Sequence, residues 1–109
     1  MTVVNFYLDH RGNNPVGDFL DKNKDTKVKA TIIIKNIIEY GLSSALPHIK
    51  KLTGLPLWEI RILGKSSARI FYVNKSRNQI ILLHAFKKKT NKTPQKEINT
   101  ALRRLDESA

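Results

Sequence analysis

From Leu57 to Leu63 apolar and polar side chains alternate: Trp58, Ile60 and Ile62 fall on one side, Glu59 and Arg61 on the other. A period of two predicts a strand with one face buried and one face open for chemistry. Gly64-Lys65-Ser66-Ser67 supplies a turn, since glycine accepts positive φ and serine bonds to nearby backbone. Ala68 to Val73 reads as a second strand, Asn74 to Asn78 as another turn, and Gln79 to Phe86 as a third strand. That third run is too apolar to stand as an edge in water. A lysine cluster, Lys87-Lys88-Lys89-Thr90-Asn91-Lys92, follows it directly.

The flanking segments read differently. Val3 to Leu8 is β-branched and aromatic, which suits a first strand. After a polar loop, Asn14-Pro15 starts a short helix through Phe19 and Leu20, with Asn as N-cap and Pro in the first turn. A longer helix, capped by Asp25 or Thr26, carries Ala30, Ile33, Ile34, Ile37 and Ile38 at helical spacing and ends at Gly41. The run Ile32-Ile33-Ile34 also suits a strand, but Lys27, Lys29, Lys35 and Asn36 fall on the opposite helical arc. Leu42 to Gly54 reads as an irregular connector, broken by Pro47 and by Gly54-Leu55-Pro56. The last helix starts at Thr93-Pro94; Ile98, Ala101, Leu102 and Leu105 give it one apolar face. Glu97 in its first turn and Arg103 and Arg104 near its end complement the helix dipole. The expected class is α+β: a small antiparallel sheet, an N-terminal strand plus a three-strand meander, packed on two N-terminal helices, with a C-terminal helix.

Length changes this picture little: 109 residues suit one domain spanning 1–109, with one modest core. Charge changes it more. The net value of +11 is segregated: residues 41–96 hold twelve Lys/Arg against the single acid Glu59, while the two flanks are close to balanced. A basic block confined to the sheet region points to a polyanion, and nucleic acid is favoured over a membrane because no basic amphipathic helix is evident. Ordinary surface lysine is the plain alternative. No apolar run reaches the length of a membrane span, and Met1 to Asn5 lacks the start of a signal peptide. The absence of cysteine excludes disulfides and thiolate metal sites and fits a cytoplasmic protein. His10, His48 and His84 are scattered rather than spaced for metal, so neither metal nor another cofactor is expected.

If Arg61, Arg69, His84 and Lys88 converge on one sheet face, they form a site with a proton-transferring imidazole and cations for a phosphate. RNA cleavage requires little else: the 2′-hydroxyl loses its proton, attacks phosphorus in line, and the departing 5′-oxygen takes a proton. Phe86 offers a surface for a base. Lys50, Lys51, Lys65, Lys87, Lys89 and Lys92 are candidate RNA contacts. Each residue has a plainer reading. Arg61 and Arg69 can pair with Glu59, a histidine at the end of an apolar strand can be structural, a lysine run can be solvated, and Trp58 suits the core. The residues alone read as a nucleic-acid binder with the parts of a nuclease.

Leu57-Trp58-Glu59-Ile60-Arg61, Ala68-Arg69-Ile70-Phe71-Tyr72, Ile81 to Thr90 and Lys92-Thr93-Pro94 together resemble the HigB-like, phage-related branch of the RelE/ParE toxin superfamily. Lys51 to Leu57 and Pro15 to Leu20 fit the same pattern, so the resemblance covers nearly the whole chain. It implies a RelE-like fold. It also implies a toxin of a type II toxin–antitoxin module that cuts mRNA in the ribosomal A site. Its partner would be a cognate antitoxin, typically with a helix-turn-helix. By position, the family's strand cations fall on Arg61 and Arg69, and its basic residue after the last strand on Lys87 or Lys88. His84 has no fixed family equivalent. RelE-type relatives often carry a tyrosine near the C-terminal end of the active face; no tyrosine follows Tyr72 here, which leaves Phe86 as the stacking candidate. The alternatives are a ParE-like inhibitor of DNA gyrase and a basic RNA-binding domain without catalysis.

Overall fold

The computed structural model describes residues 1–64 and 67–108. Five strands and three helices follow in the order β1 (Val3–Phe6), α1 (Pro15–Lys22), α2 (Lys24–Tyr40), a 3-10 turn at Leu42–Ala45, β2 (Ile49–Lys51), β3 (Trp58–Ile62), β4 (Ala68–Ser76), β5 (Gln79–Lys87) and α3 (Gln95–Glu107). The strands form one sheet in the order β1-β5-β4-β3-β2. The α+β class and the packing of helices on a small sheet are as the sequence predicts. Two details of the sheet differ. The N-terminal strand joins parallel to β5, so the sheet is mixed, and α1 and α2 lie on the crossover that parallel pairing requires. The connector also contains a strand, β2, antiparallel to β3. Three residues between Pro47 and Gly54 are too few to show alternation, and β2 gains its identity only from the partner it meets. As an edge it is short and carries exposed Lys50 and Lys51, both of which discourage pairing with another chain.

Alternation sends the sheet's side chains into two cores. On one face Ile60, Ile62, Ala68, Ile70, Tyr72, Ile80, Leu82 and Ala85 pack under Val16 and Leu20 of α1 and Ala30 and Ile37 of α2. On the other, Phe71, Ile81, Leu83 and Phe86 pack with Tyr7, Leu57 and Ala101 of α3, flanked by Leu52, Leu55, Ile98, Leu102 and Leu105. The isoleucine run is helical: Ile33 and Ile34 lean on the first core while Ile32 is exposed. A strand would have left the alternating partners of this run without a buried face.

Capping explains the helix limits. The Asn14 side chain accepts from the Gly17 N–H at 3.0 Å and closes the start of α1. Helix α2 begins before Asp25, at Lys24, because Asn23 separates the two helices; its side-chain amide donates to the Phe19 carbonyl at 2.7 Å and so finishes α1. Gly41 ends α2 with φ +90°, a conformation that an L side chain rarely adopts.

One irregularity matters for the site. Phe71 pairs with His84, but Tyr72 pairs with Leu82, so Leu83 is an extra residue in β5. This β-bulge puts Leu83 in the same core as Phe86 and Leu82 in the opposite one. Simple alternation would have placed Leu82 beside His84 and Phe86.

Candidate functional site

The α3-facing side of the sheet is covered by α3 mainly over β5 and β4. Towards β3 and β2 that face carries charge. Arg61 stands directly opposite Arg69, and Arg69 directly opposite Phe86. The Arg61 N–H donates to the His48 carbonyl at 2.7 Å, which extends this cross-strand row to His48. The next row runs Lys50, Glu59, Phe71 and His84. Beyond Phe86 on the same side comes Lys88, whose N–H bonds the Ser67 carbonyl at 2.9 Å. The neighbours Ile49, Ile60, Ile62, Ala68 and Ile70 all belong to the helix-side core, which fixes the outward face for the residues between them.

Within this face depth varies. His48 and Lys50 are exposed, Arg61 and Lys88 half-buried, and Glu59 and Arg69 buried. Arg69 donates through Nη1 to the Ala68 carbonyl at 3.0 Å. Its Nε lies 3.9 Å from Glu59 Oε2, an ion pair too long for a hydrogen bond, and both atoms are buried without a hydrogen-bond partner. Burial lowers the Arg69 pKa; Glu59 opposes that shift and Arg61 adds to it. Two guanidiniums directly across a strand pair repel each other, and Glu59 is the carboxylate placed to offset them.

His84 sits elsewhere in function, although it lies on the same face. Its Nδ1 is 3.0 Å from Arg104 Nη1 and its Nε2 2.9 Å from Glu97 Oε1. A guanidinium only donates, so Nδ1 accepts and the proton of the neutral ring is on Nε2, pointing at Glu97. Burial lowers the His84 pKa, Glu97 raises it in part, and Arg104 lowers it further. Arg104 also donates to the Leu83 carbonyl at 3.0 Å and covers the Tyr7 ring, whose hydroxyl bonds Glu107. That bond is the main cause of the raised Tyr7 pKa. Both ring nitrogens of His84 are thus engaged in fastening α3 to β5. The Phe86 ring is engaged too: it packs edge-on to Phe71 at 5.1 Å and parallel to His84 at 5.5 Å, and it is 5% exposed.

The lysines divide between the two faces. Lys50 and Lys88 lie with Arg61. Lys87, one residue on from Phe86, faces the helix side and lines a groove of about 770 Å³ with Asp21, Asp25 and Lys29. Lys51 spends its ammonium on the Leu55 carbonyl at 2.8 Å. Lys89 and Lys92 are exposed on the loop before α3. Lys65 lies outside the described residues. Among the described residues no three His, Cys, Asp or Glu side chains group to hold a metal ion, and no helix is long and apolar enough to cross a membrane.

The sequence pattern overlooked three participants. His48 reads as linker until β2 is recognised, and only the pairing of Ile49 with Ile60 reveals its place. Glu97 and Arg104 read as dipole complements of α3, and nothing in their spacing shows that they bracket His84. Residues 18–106 match the family described as phage derived protein Gp49-like (DUF891), and the chain belongs to that family. No curated protein matches the chain.

Proposed function

We propose that this Gp49-like chain is the toxin of a toxin–antitoxin module, a metal-independent endoribonuclease of RelE/HigB type that cuts mRNA on the ribosome. The observation that carries the reading is Arg61 directly opposite Arg69 on the charged end of the sheet. Like charges in that position cost stability, and an anion between or above them removes the cost. A phosphodiester is such an anion, and the flanking Lys50 and Lys88 extend the positive surface along its backbone.

In this reading Arg61 contacts the scissile phosphate, and Arg69, held from behind by Glu59, adds fixed positive charge at short range. As the 2′-oxygen forms its bond to phosphorus and the bond to the 5′-oxygen breaks, the phosphorane gains negative charge, which guanidiniums already in place stabilise. The products are a 2′,3′-cyclic phosphate and a 5′-hydroxyl. His84 and Phe86 hold α3 and the sheet together, so their contribution is to the shape of the site. Lys89 and Lys92, exposed on the neighbouring loop, are the proposed contacts to ribosomal or messenger RNA. The proposed antitoxin partner is a helix-turn-helix protein whose acidic or amphipathic segment covers the same cationic face, and the toxin acts in the cytoplasm, where ribosomes are.

Inducible expression of wild type and Arg61→Ala, with mapping of mRNA 5′ ends, tests the proposal. Growth arrest with new ends inside translated codons for the wild type alone supports it. Arrest without new ends moves the target to a protein such as DNA gyrase.

A further inference from the structure

Cleavage of RNA needs a group that moves a proton, and His84 is closed to that task on both ring nitrogens. The register supplies another imidazole. The His48 carbonyl accepts from the Arg61 N–H at 2.7 Å, and Ile49 pairs with Ile60, so His48, at the bend just before β2, lies across from Arg61 at the end of the charged face. His48 is exposed, its own N–H donates to the Ala45 carbonyl at 2.6 Å, and its ring makes no hydrogen bond among the described residues. We propose that His48 is the proton-transferring catalytic residue of this site, acting on a phosphodiester held by Arg61.

This inference rests on the nuclease reading above. Imidazole is the side chain suited to give and take a proton near neutral pH, and here it stands where a phosphate on Arg61 brings its reacting oxygens within hydrogen-bond reach. The surrounding charges on that face are Arg61 opposite, Lys50 two residues along β2, the buried Glu59 diagonally on β3, Arg69 one strand further and Lys88 at the end of β5. In the proposed step the His48 ring accepts the proton of the 2′-hydroxyl. The departing 5′-oxygen takes its proton from water, and His48 returns its own to solvent.

The test is single-turnover cleavage of mRNA on programmed ribosomes by wild type, His48→Gln, His48→Ala and His84→Gln, each across pH. His48→Gln is expected to lose about 100-fold or more in rate and to change the shape of the pH profile. Added imidazole is expected to restore part of the His48→Ala rate. His84→Gln is expected to lower thermal stability and keep the wild-type pH profile. His48→Gln cleaving near the wild-type rate with an unchanged pH profile would overturn the assignment while leaving the nuclease reading in place. A wild-type protein that cleaves nothing would overturn the nuclease reading itself, and with it this inference.

Discussion

Arg69→Ala and Arg61→Ala remove the same chemical group from two directly opposed positions, yet their effects on stability should differ sharply. The Arg69 side chain is 7% exposed and Glu59 5%, and their charges face each other at 3.9 Å. Removing Arg69 leaves the Glu59 carboxylate buried without its cation, a change that costs about 3–5 kcal/mol. Domains of this size are stable by only about 5–15 kcal/mol, so the variant should lose a large share of its margin. Arg61 is half-buried and makes no ion pair among the described residues. Its removal takes a like charge away from Arg69, so its effect should stay within about 0.5 kcal/mol, on the stabilising side. Urea unfolding at pH 7, read at constant slope, measures both. A double variant, Glu59→Gln with Arg69→Met, should recover most of the loss, because no uncompensated buried charge remains. An Arg69→Ala cost below about 1 kcal/mol, the scale of an exposed ion pair, would refute an uncompensated buried Glu59. Equal losses in the two single variants would refute it as well. The practical consequence is that Arg61, not Arg69, is the clean probe of function.

Three further outcomes are expected. The His84 pKa is lowered in the fold, so the unfolded chain takes up that proton first. The stability it contributes is present above its unfolded pKa of about 6.5 and is lost as pH falls through the range below, by at most about 1.4 kcal/mol per pH unit. His84→Gln should flatten that part of the urea-derived stability profile, and an unaltered slope would count against the Glu97–His84–Arg104 assignment. Asn14→Ala removes the cap on the Gly17 N–H and should cost about 1 kcal/mol, visible as a fall of a few degrees in Tm. Binding of an acidic antitoxin segment to the charged face should weaken steeply with salt, and equal affinity by titration calorimetry at low and high salt would argue for a different surface.

The elements were largely legible because their apolar periods are clear: the stripe on α2, the alternation in β3 and the single apolar face of α3 all describe what packs. What the sequence concealed are features decided by a partner. Strand β2 has only three residues and exists because Ile49 can join the helix-side core. The bulge at Leu83 shifts β5 by one residue, and no local pattern shows it. Asn23 has the composition of a helix cap, but its amide closes the helix before it rather than the one after. At the site, the opposition of Arg61 and Arg69 follows from the pairing of their neighbours Ile62 and Ala68. The fate of His84 depends on Glu97 and Arg104, thirteen and twenty residues away, brought to it by α3. The same absence of a local signal conceals His48, whose place emerges from the pairing of Ile49 with Ile60 and the backbone bond from Arg61.

The measurement closest to the central claim is primer extension on a defined mRNA with purified protein and ribosomes, using Arg61→Ala as the comparison. The account predicts new 5′ ends in the A-site codon with wild type, far weaker ends with Arg61→Ala at unchanged fold stability, and a 2′,3′-cyclic phosphate on the upstream product. Full-length mRNA with wild type, or equal cleavage by both proteins, would contradict it.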